Sequence, residues 1–226
     1  MLQASSKGAR RTVIISKARK YVFVHIPKTG GTALTLALEG RAAKDDLIIG
    51  DTPKARQRRK RLADLTPAGR LWKHSSLADI DGIVSAQELD EMFCFTLVRN
   101  PWDRAVSYYH WLRAQGFDHP AVRLAQTQDF EGFMRNPDTV LAFRNTPAPF
   151  YMIDARGVER CNAYLRIEHL KQDLKPLEDH LGFELTVGRV NRSEREQDYR
   201  KYYDESLAEF VNVLCAADIK RFGYHF

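Results

Sequence analysis

The chain has 226 residues, of which 44% are hydrophobic and 28% are charged, and its formal net charge is +6. This composition favours one domain with a sizeable core and an anionic partner, and it argues against extensive disorder. No apolar run reaches the ~20 residues of a membrane span, and three distant cysteines give no pattern of disulfides or zinc ligands, so we predict a cytoplasmic protein.

The N-terminal segment is predicted to be a basic leader, residues 1–20, ahead of a single domain over residues 21–226. We interpret residues 1–19 as a solvated tail, and an added edge strand around Thr12–Ser16 is the other interpretation. No continuous apolar core of a signal peptide precedes Tyr21.

An apolar strand, Tyr21–Ile26, leads into a glycine-containing loop, Pro27–Thr32. Apolar residues then recur at helical spacing, at positions 33, 34, 37 and 38, up to Gly40. Paired glycines let a backbone approach an anion closely, and the start of a helix adds its positive end. The strand, loop and helix together predict a cradle for a phosphate-like group.

Six cations occur within the eight residues 54–61, and no aromatic residue interrupts them. Such a run is most often a solvated helix face or a mobile loop, and a patch for an acidic substrate is the alternative. It is not accompanied by any nucleic-acid-binding motif, so we expect no nucleic-acid partner.

Further along the chain, Leu71–His74 is predicted to be a short strand, and Ser85 with Glu88 forms a capping-box pattern before a short helix over 86–92. The run Phe93–Val98 is apolar nearly throughout, which is typical of a strand buried on both faces.

A second strand-to-helix junction follows this buried strand. Asn100 can cap a helix, Pro101 suits its first position, and Arg104 and Ser107 share a helix face. Arg99 stands at the carboxyl end of the strand, the edge at which open parallel sheets bind ligands. The two junctions therefore predict a ligand with two separated anionic groups.

The C-terminal half is predicted to be rich in helices. We expect a short helix over 129–135, a strand over 163–167, a helix over 168–181 that stops at Gly182, and a core-facing helical stripe within 204–222.

The two junctions resemble the nucleotide-binding motifs of the sulfotransferases that use 3′-phosphoadenosine 5′-phosphosulfate (PAPS), specifically the carbohydrate (family 2-like) branch. The resemblance rests on Pro27–Thr32 and Arg99–Tyr108, which stand about seventy residues apart, and it extends to Lys73–Ser76 and the C-terminal region. It implies an α/β fold, a P-loop-like three-layer sandwich with a central, mainly parallel sheet flanked by helices.

The resemblance also implies roles for individual residues. The first motif holds the 5′-phosphosulfate and the second holds the 3′-phosphate; the matching residues are Lys28, Thr29, Gly30, Gly31 and Thr32, then Arg99 and Ser107. Lys28 would stabilise the leaving oxygen, and no metal is needed. The family closes its nucleotide pocket with a loop near residues 189–193, for which no contacts are assigned.

His74 is the favoured general base, because an imidazole titrates near neutral pH and this residue matches a family histidine proposed for that role. His25 is the rival, although strand alternation is expected to turn its side chain away from the pocket. Glu168 is a more distant candidate that we expect to pair with an arginine, and His110 and His119 are expected to face solvent.

The predicted acceptor is a carbohydrate or another hydroxylated molecule, and peripheral membrane contact and the oligomeric state stay open. Two other functions remain as alternatives. One is a P-loop kinase or NTPase, although the loop lacks the full G-x-x-x-x-G-K-[ST] pattern. The other is a non-catalytic protein that binds glycans or anions on the same scaffold.

Overall fold

One five-stranded sheet lies at the centre of the protein, of which the computed structural model describes residues 12–188 and 195–226. Its strands are β1 (Thr12–Ser16), β2 (Tyr21–Val24), β3 (Leu47–Gly50), β4 (Phe93–Val98) and β5 (Ala163–Arg166). The spatial order is β3-β1-β2-β4-β5. Because β1 is antiparallel to both of its neighbours and the other pairings are parallel, every strand except β1 runs in the same direction.

Helices cover both faces of the sheet. They are α1 (Thr32–Gly40), α2 (Pro53–Arg58), α3 (Ala86–Asp90), α4 (Pro101–Arg113), α5 (Pro120–Thr127), α6 (Phe130–Arg135), α7 (Pro137–Asn145), α8 (Leu170–Asp173), α9 (Lys175–Leu181), α10 (Glu205–Leu214) and α11 (Ala216–Phe222). Shorter 3₁₀ turns span Arg59–Leu62, Ala148–Met152, Ile167–His169 and Tyr199–Tyr202. Within the described ranges, no helix combines the length and apolar character needed to cross a membrane.

The core has two parts because successive residues of a strand point to opposite faces of the sheet. On β2, Val22 and Val24 face one side, where they pack with residues of α4, α6 and α10, and Phe23 faces the other, with residues of α1 and α9. The result is the predicted arrangement of three layers, with a sheet between two layers of helices.

The N-terminal segment differs in part from its prediction. The alternative interpretation of a strand over Thr12–Ser16 is confirmed, but this strand is not at the sheet edge, because β3 pairs with its far side. It is not a solvated tail, because all five residues are buried. Its apolar residues, Val13, Ile14 and Ile15, alternate between the two cores, and this burial outweighs the basic residues around them.

Two short segments of the middle region also differ. Leu47–Gly50, where no element is predicted, is strand β3 at the sheet edge. Leu71–His74, predicted as a strand, is a turn. The Ser75 hydroxyl holds this turn, because it accepts from the Trp72 N–H at 2.9 Å and lies within donating distance of the Arg70 and Trp72 carbonyls.

The helix predicted over 168–181 is divided into a 3₁₀ turn, α8 and α9. Pro176 explains the break between α8 and α9, since proline lacks an N–H and fits only the first turn of a helix. Gly182 ends α9 in the left-handed conformation, as predicted, with φ of 74°. Residues 189–193 lie outside the described ranges.

The direction of the strands positions the candidate site. β2, β4 and β5 run in parallel, so the residues that follow them, His25, Arg99 and Ile167, meet at one edge of the sheet. All three residues line the same wide cleft.

Candidate active site

The loop after β2 has a shape that its backbone imposes. Lys28 and Gly30 have positive φ, 68° and 79°. A side chain at Gly30 would overlap Ile167, and a side chain at Gly31 would overlap the ring of His25. The close approach of the neighbours explains why glycine occupies both positions, and the loop ends directly at the N-terminus of α1.

The two threonines of this loop are buried. The Thr29 hydroxyl donates to the Ile26 carbonyl at 2.9 Å, so it closes the loop upon the end of the strand. Thr32 is the first residue of α1. Both threonines belong to the anion cradle predicted from the sequence, where the backbone N–H groups and the positive end of a helix are available to an anion.

The junction after β4 is held by side chains instead. Asn100 accepts from the N–H groups of Trp102 and Asp103, at 3.0 and 3.4 Å, and Pro101 begins the helix. The Arg99 guanidinium contacts the Asp103 carboxylate through two nitrogens, at 2.8 and 2.6 Å. Asp103 also forms an ion pair with Arg195, which places two guanidinium groups on one carboxylate.

Two arginines of the second junction bind the backbone of the first. Arg99 Nη1 donates to the Lys28 carbonyl at 3.3 Å, and Arg104 Nε donates to the Pro27 carbonyl at 3.1 Å. Lys28, Gly30, Gly31, Thr32, Arg99 and the buried Ser107 all line the cleft. The structure thus brings the predicted residues of the two motifs to one cleft, except Thr29, whose buried hydroxyl donates to the Ile26 carbonyl and which does not line the cleft.

His25 and His74 form a buried pair, with their rings stacked at 5.0 Å between centroids. His74 Nδ1 lies 2.7 Å from the His25 carbonyl oxygen and 3.2 Å from His25 Nδ1. The expectation that His25 points away from the pocket is wrong. The centroid of its ring lies 6.2 Å from that of the Phe23 ring, on the same face of the sheet, and His25 lines the cleft.

Trp111 is a cleft residue that the sequence analysis missed. The Lys28 ammonium lies over its ring, 5.4 Å from the centroid, and Tyr108 stacks on the same ring at 6.3 Å. A sequence signal did exist, because Trp111 stands four residues after Ser107 and so shares its helix face.

Other titratable candidates have different surroundings from those expected. Glu168 accepts from the Asn100 N–H at 2.7 Å and from the Tyr224 hydroxyl at 3.1 Å. Within residues 12–188 and 195–226 it forms no direct ion pair with an arginine, although its charge, after the larger effect of the Asp173 hydrogen bond, helps to raise the pKa of Arg166. His110 Nε2 is buried and has no hydrogen-bond partner within residues 12–188 and 195–226, so His110 does not simply face solvent. Burial, with Arg195 and Arg113 nearby, lowers the pKa of His110. His119 is exposed and accepts from the Ala121 N–H at the start of α5.

The basic run over 54–61 divides into two groups. Three of its side chains, Lys54, Arg58 and Arg61, donate to backbone carbonyls at positions 39, 43, 44 and 46. The other three cations of the run line the cleft: Arg56, Arg59 and Lys60. The cleft is also lined by Arg70, Trp72 and Lys73. One wall of the cleft is therefore basic with an exposed indole, and we call these six residues the basic wall.

In the part of the chain that the structure describes, no three His, Cys, Asp or Glu residues are grouped so that they could hold a metal ion. The two junctions bring cations, hydroxyls and backbone N–H groups to the cleft, and these groups suit an anionic ligand.

One protein family and two solved structures are similar to this chain. The family model described as the sulfotransferase family matches residues 11–225. Mouse sulfotransferase SULT7A1 in complex with PAP has a similar structure, with a TM-score of 0.52, 15% identity, and coverage of 91% of this chain and 85% of that one. Retinol dehydratase in complex with retinol and PAP matches with a TM-score of 0.43 and 15% identity, over 90% of this chain and 82% of that one. No curated protein sequence is significantly similar to this chain.

Proposed function

Because the chain belongs to the sulfotransferase family, we propose that it transfers a sulfuryl group from PAPS to a hydroxyl of an acidic carbohydrate. One observation carries this proposal. Arg99 and Arg104 at the second junction donate to the carbonyls of Lys28 and Pro27 at the first. The two proposed anion-binding loops are therefore joined by hydrogen bonds, and both line the same cleft.

In the proposed donor site, the loop over 28–32 holds the 5′-phosphosulfate and Arg99 and Ser107 hold the 3′-phosphate. The position of this loop supports the assignment, because Gly30 and Gly31 line the cleft directly before the N-terminus of α1, where backbone N–H groups and the helix dipole favour an anion. Arg99 suits a phosphate because its planar guanidinium can donate two parallel hydrogen bonds. The mouse sulfotransferase of similar fold is itself a complex with PAP.

The proposed reaction is one in-line displacement at sulfur. The acceptor oxygen forms a bond to sulfur while the bond between sulfur and the bridging oxygen of PAPS breaks, which leaves PAP. The hydroxyl proton passes to His74, and the negative charge that develops on the leaving phosphate oxygen is stabilised by the Lys28 ammonium.

The tautomer of His74 supports its role as base. A carbonyl oxygen only accepts, so the contact with the His25 carbonyl requires the proton of neutral His74 to be on Nδ1. The lone pair is then on Nε2, which is the nitrogen that can take the acceptor proton. The base must be neutral to act. The rate of transfer should therefore increase with pH as the His74 imidazolium loses a proton and becomes the neutral imidazole.

The basic wall supports an acidic acceptor. Its cations attract carboxylate or sulfate groups, and the Trp72 indole, 43% exposed, offers a flat apolar surface on which a sugar ring can lie. Arg70 lies 5.9 Å from the centre of that ring, so charge and apolar surface are adjacent.

The donor site is tested by thermal unfolding with PAP. At a hundredfold excess over Kd we expect PAP to raise Tm by about 5–10 °C, and Arg99→Ala should remove most of that shift. Arg135→Ala is the matched control, because Arg135 also pairs with a carboxylate four residues away but does not line the cleft. A flat response of the wild type to PAP would overturn the proposed donor.

The transfer itself is tested with labelled PAPS and a panel of neutral, carboxylated and sulfated oligosaccharides. We expect label on acidic members, and loss of labelling in Lys28→Ala and His74→Ala. Binding of PAP without labelling of any member would favour the non-catalytic alternative. Labelling of neutral members alone would contradict the role of the basic wall.

A further inference from the structure

His25 occupies a position between the anion cradle and the candidate base. Its ring packs against Gly31 so closely that a side chain at that glycine would overlap it. On its other side, its carbonyl oxygen and its Nδ1 both face His74 Nδ1, at 2.7 and 3.2 Å. Both rings are almost completely buried, at 2% and 4% exposure, so these contacts are shielded from water.

The chemistry of the contact assigns the direction of the hydrogen bond. Since the carbonyl accepts, His74 Nδ1–H is the donor, and a His25 Nδ1 at 3.2 Å from that donor is then an acceptor with its own proton on Nε2. During transfer, His74 takes a proton from the substrate hydroxyl and becomes an imidazolium. The His25 carbonyl oxygen and His25 Nδ1 then still face its Nδ1–H as hydrogen-bond acceptors. Acceptors directed at a charged donor stabilise the charged form.

Charged groups line the same cleft as this pair. The cleft contributes Lys28 from the loop and Lys73 from the adjoining turn, and the Lys73 ammonium pairs with Asp51 at 3.2 Å. On the far side of the turn, Asp79 accepts from Ser76. The two lysines oppose a positive charge on His74, whereas the acceptors of His25 favour it.

We propose that His25 is a positioning residue for the base: it holds the Nδ1–H tautomer of His74 and stabilises the imidazolium that forms during transfer. This role is analogous to that of the third member of a catalytic triad, which orients a histidine without exchanging its proton. The proposal rests on the proposed sulfuryl transfer, because it assigns the residue that supports the base of that reaction.

Two substitutions separate the roles of the His25 side chain. His25→Phe keeps a ring against Gly31 and His74 but removes the Nδ1 acceptor, and His25→Asn keeps an acceptor at a similar place but removes most of the ring. We expect His25→Phe to lower kcat about fivefold to tenfold and to leave Kd for PAP unchanged. The acidic limb of its pH–rate profile should move to lower pH, whereas His25→Asn should keep the acidic limb of the wild type.

The opposite pattern would overturn the inference. If the ring only packs, His25→Asn weakens PAP binding while His25→Phe keeps both kcat and the pH profile of the wild type. Because His25→Phe could fail to fold, ¹⁵N spectra of histidine-labelled wild type with PAP give a second measurement. A proton on His74 Nδ1 is expected, and a proton on Nε2 alone would contradict the inference.

Failure of this inference differs from failure of the proposed function. An enzyme that transfers label normally with Phe at position 25 refutes the positioning role alone. A wild type that binds no PAP and transfers no label refutes the function, while the tautomer of His74 is still read from the spectra.

Discussion

The loop between β2 and α1 and the loop between β4 and α4 both end a parallel strand and begin a helix, yet different forces determine their shapes. The first depends on its backbone, with positive φ at Lys28 and Gly30 and no room for a side chain at Gly31. The second depends on polar side chains, since Asn100 caps its helix and Asp103 holds Arg99. A change in the first creates overlap or relieves strain, whereas a change in the second removes hydrogen bonds and charge one at a time.

Lys28 provides the largest expected effect, because it carries both strain and charge. We expect Lys28→Ala and Lys28→Gly each to lower turnover about 10²–10³-fold, since both remove the ammonium. The left-handed conformation costs a non-glycine residue about 1–2 kcal/mol, so the glycine variant should be the more stable of the two by about 1 kcal/mol. Single-turnover transfer and urea unfolding measure the two quantities, and equal stability of the variants would show that no strain is relieved.

Gly31 tests the steric nature of the first loop. Gly31→Ala forces the His25 ring to move, and we expect a loss of about 1–3 kcal/mol in unfolding free energy together with weaker PAP binding. Gly40→Ala is the control on the same helix, because a Cβ there meets nothing within 4 Å. Calorimetric unfolding and PAP titration check both variants; if Gly31→Ala matched the control, the packing of His25 against the loop would not be needed.

Asn100 tests the second loop. Its amide accepts from two N–H groups of α4 and lies within donating distance of Tyr199 Oη and the His225 carbonyl, at 3.2 and 3.0 Å. We expect Asn100→Ala to cost about 1–2 kcal/mol of stability. Asn136→Ala removes the exposed cap of α7 and should lower the free energy of unfolding by less. Chemical denaturation measures both variants. A larger loss in Asn136→Ala than in Asn100→Ala would contradict the greater importance of the buried cap.

The smallest expected effect concerns pH at the third strand end. The Arg166 guanidinium lowers the pKa of Asp173, so this carboxylate stabilises the fold above its unfolded pKa of about 3.9. That contribution, about 1 kcal/mol or less after solvent screening, is lost as the pH falls through the lower folded-state pKa. We expect Asp173→Asn to reduce stability at pH 6 but to match the wild type near pH 2; a constant difference across this range would exclude a titrating ion pair.

Much of the fold follows from local patterns. The apolar runs of β2, β4 and β5 are strong enough to identify strands, and the pairs Asn100–Pro101 and Ser85–Glu88 identify helix starts. β3 escapes prediction because its short apolar run, residues 47–49, lies within a mainly polar and charged stretch. Leu71–His74 has the composition of a strand, but hydrogen bonds to Ser75 favour a turn.

The candidate site divides in the same way. Residues within the two motifs, such as Lys28, Arg99 and Ser107, are recognisable because each lies in one contiguous strand, loop and helix segment that resembles a sulfotransferase motif. Contacts between segments far apart in the chain are not recognisable, because they depend on how the loops and turns pack at the sheet edge. Arg195 on Asp103 and His25 beside His74 belong to this second kind.

Strand β1 has a consequence for the assembly of the protein. It forms a hairpin with β2, whose contacts are local, while β4 must join from far along the chain. Local pairing has the lower entropic cost of loop closure. The β1–β2 hairpin, which leads into the anion cradle, can therefore form before β4, which leads into Arg99, pairs with β2. Removal of residues 12–16 would leave the edge of β2 open to intermolecular pairing and would detach β3, so aggregation during refolding would precede any loss of catalysis.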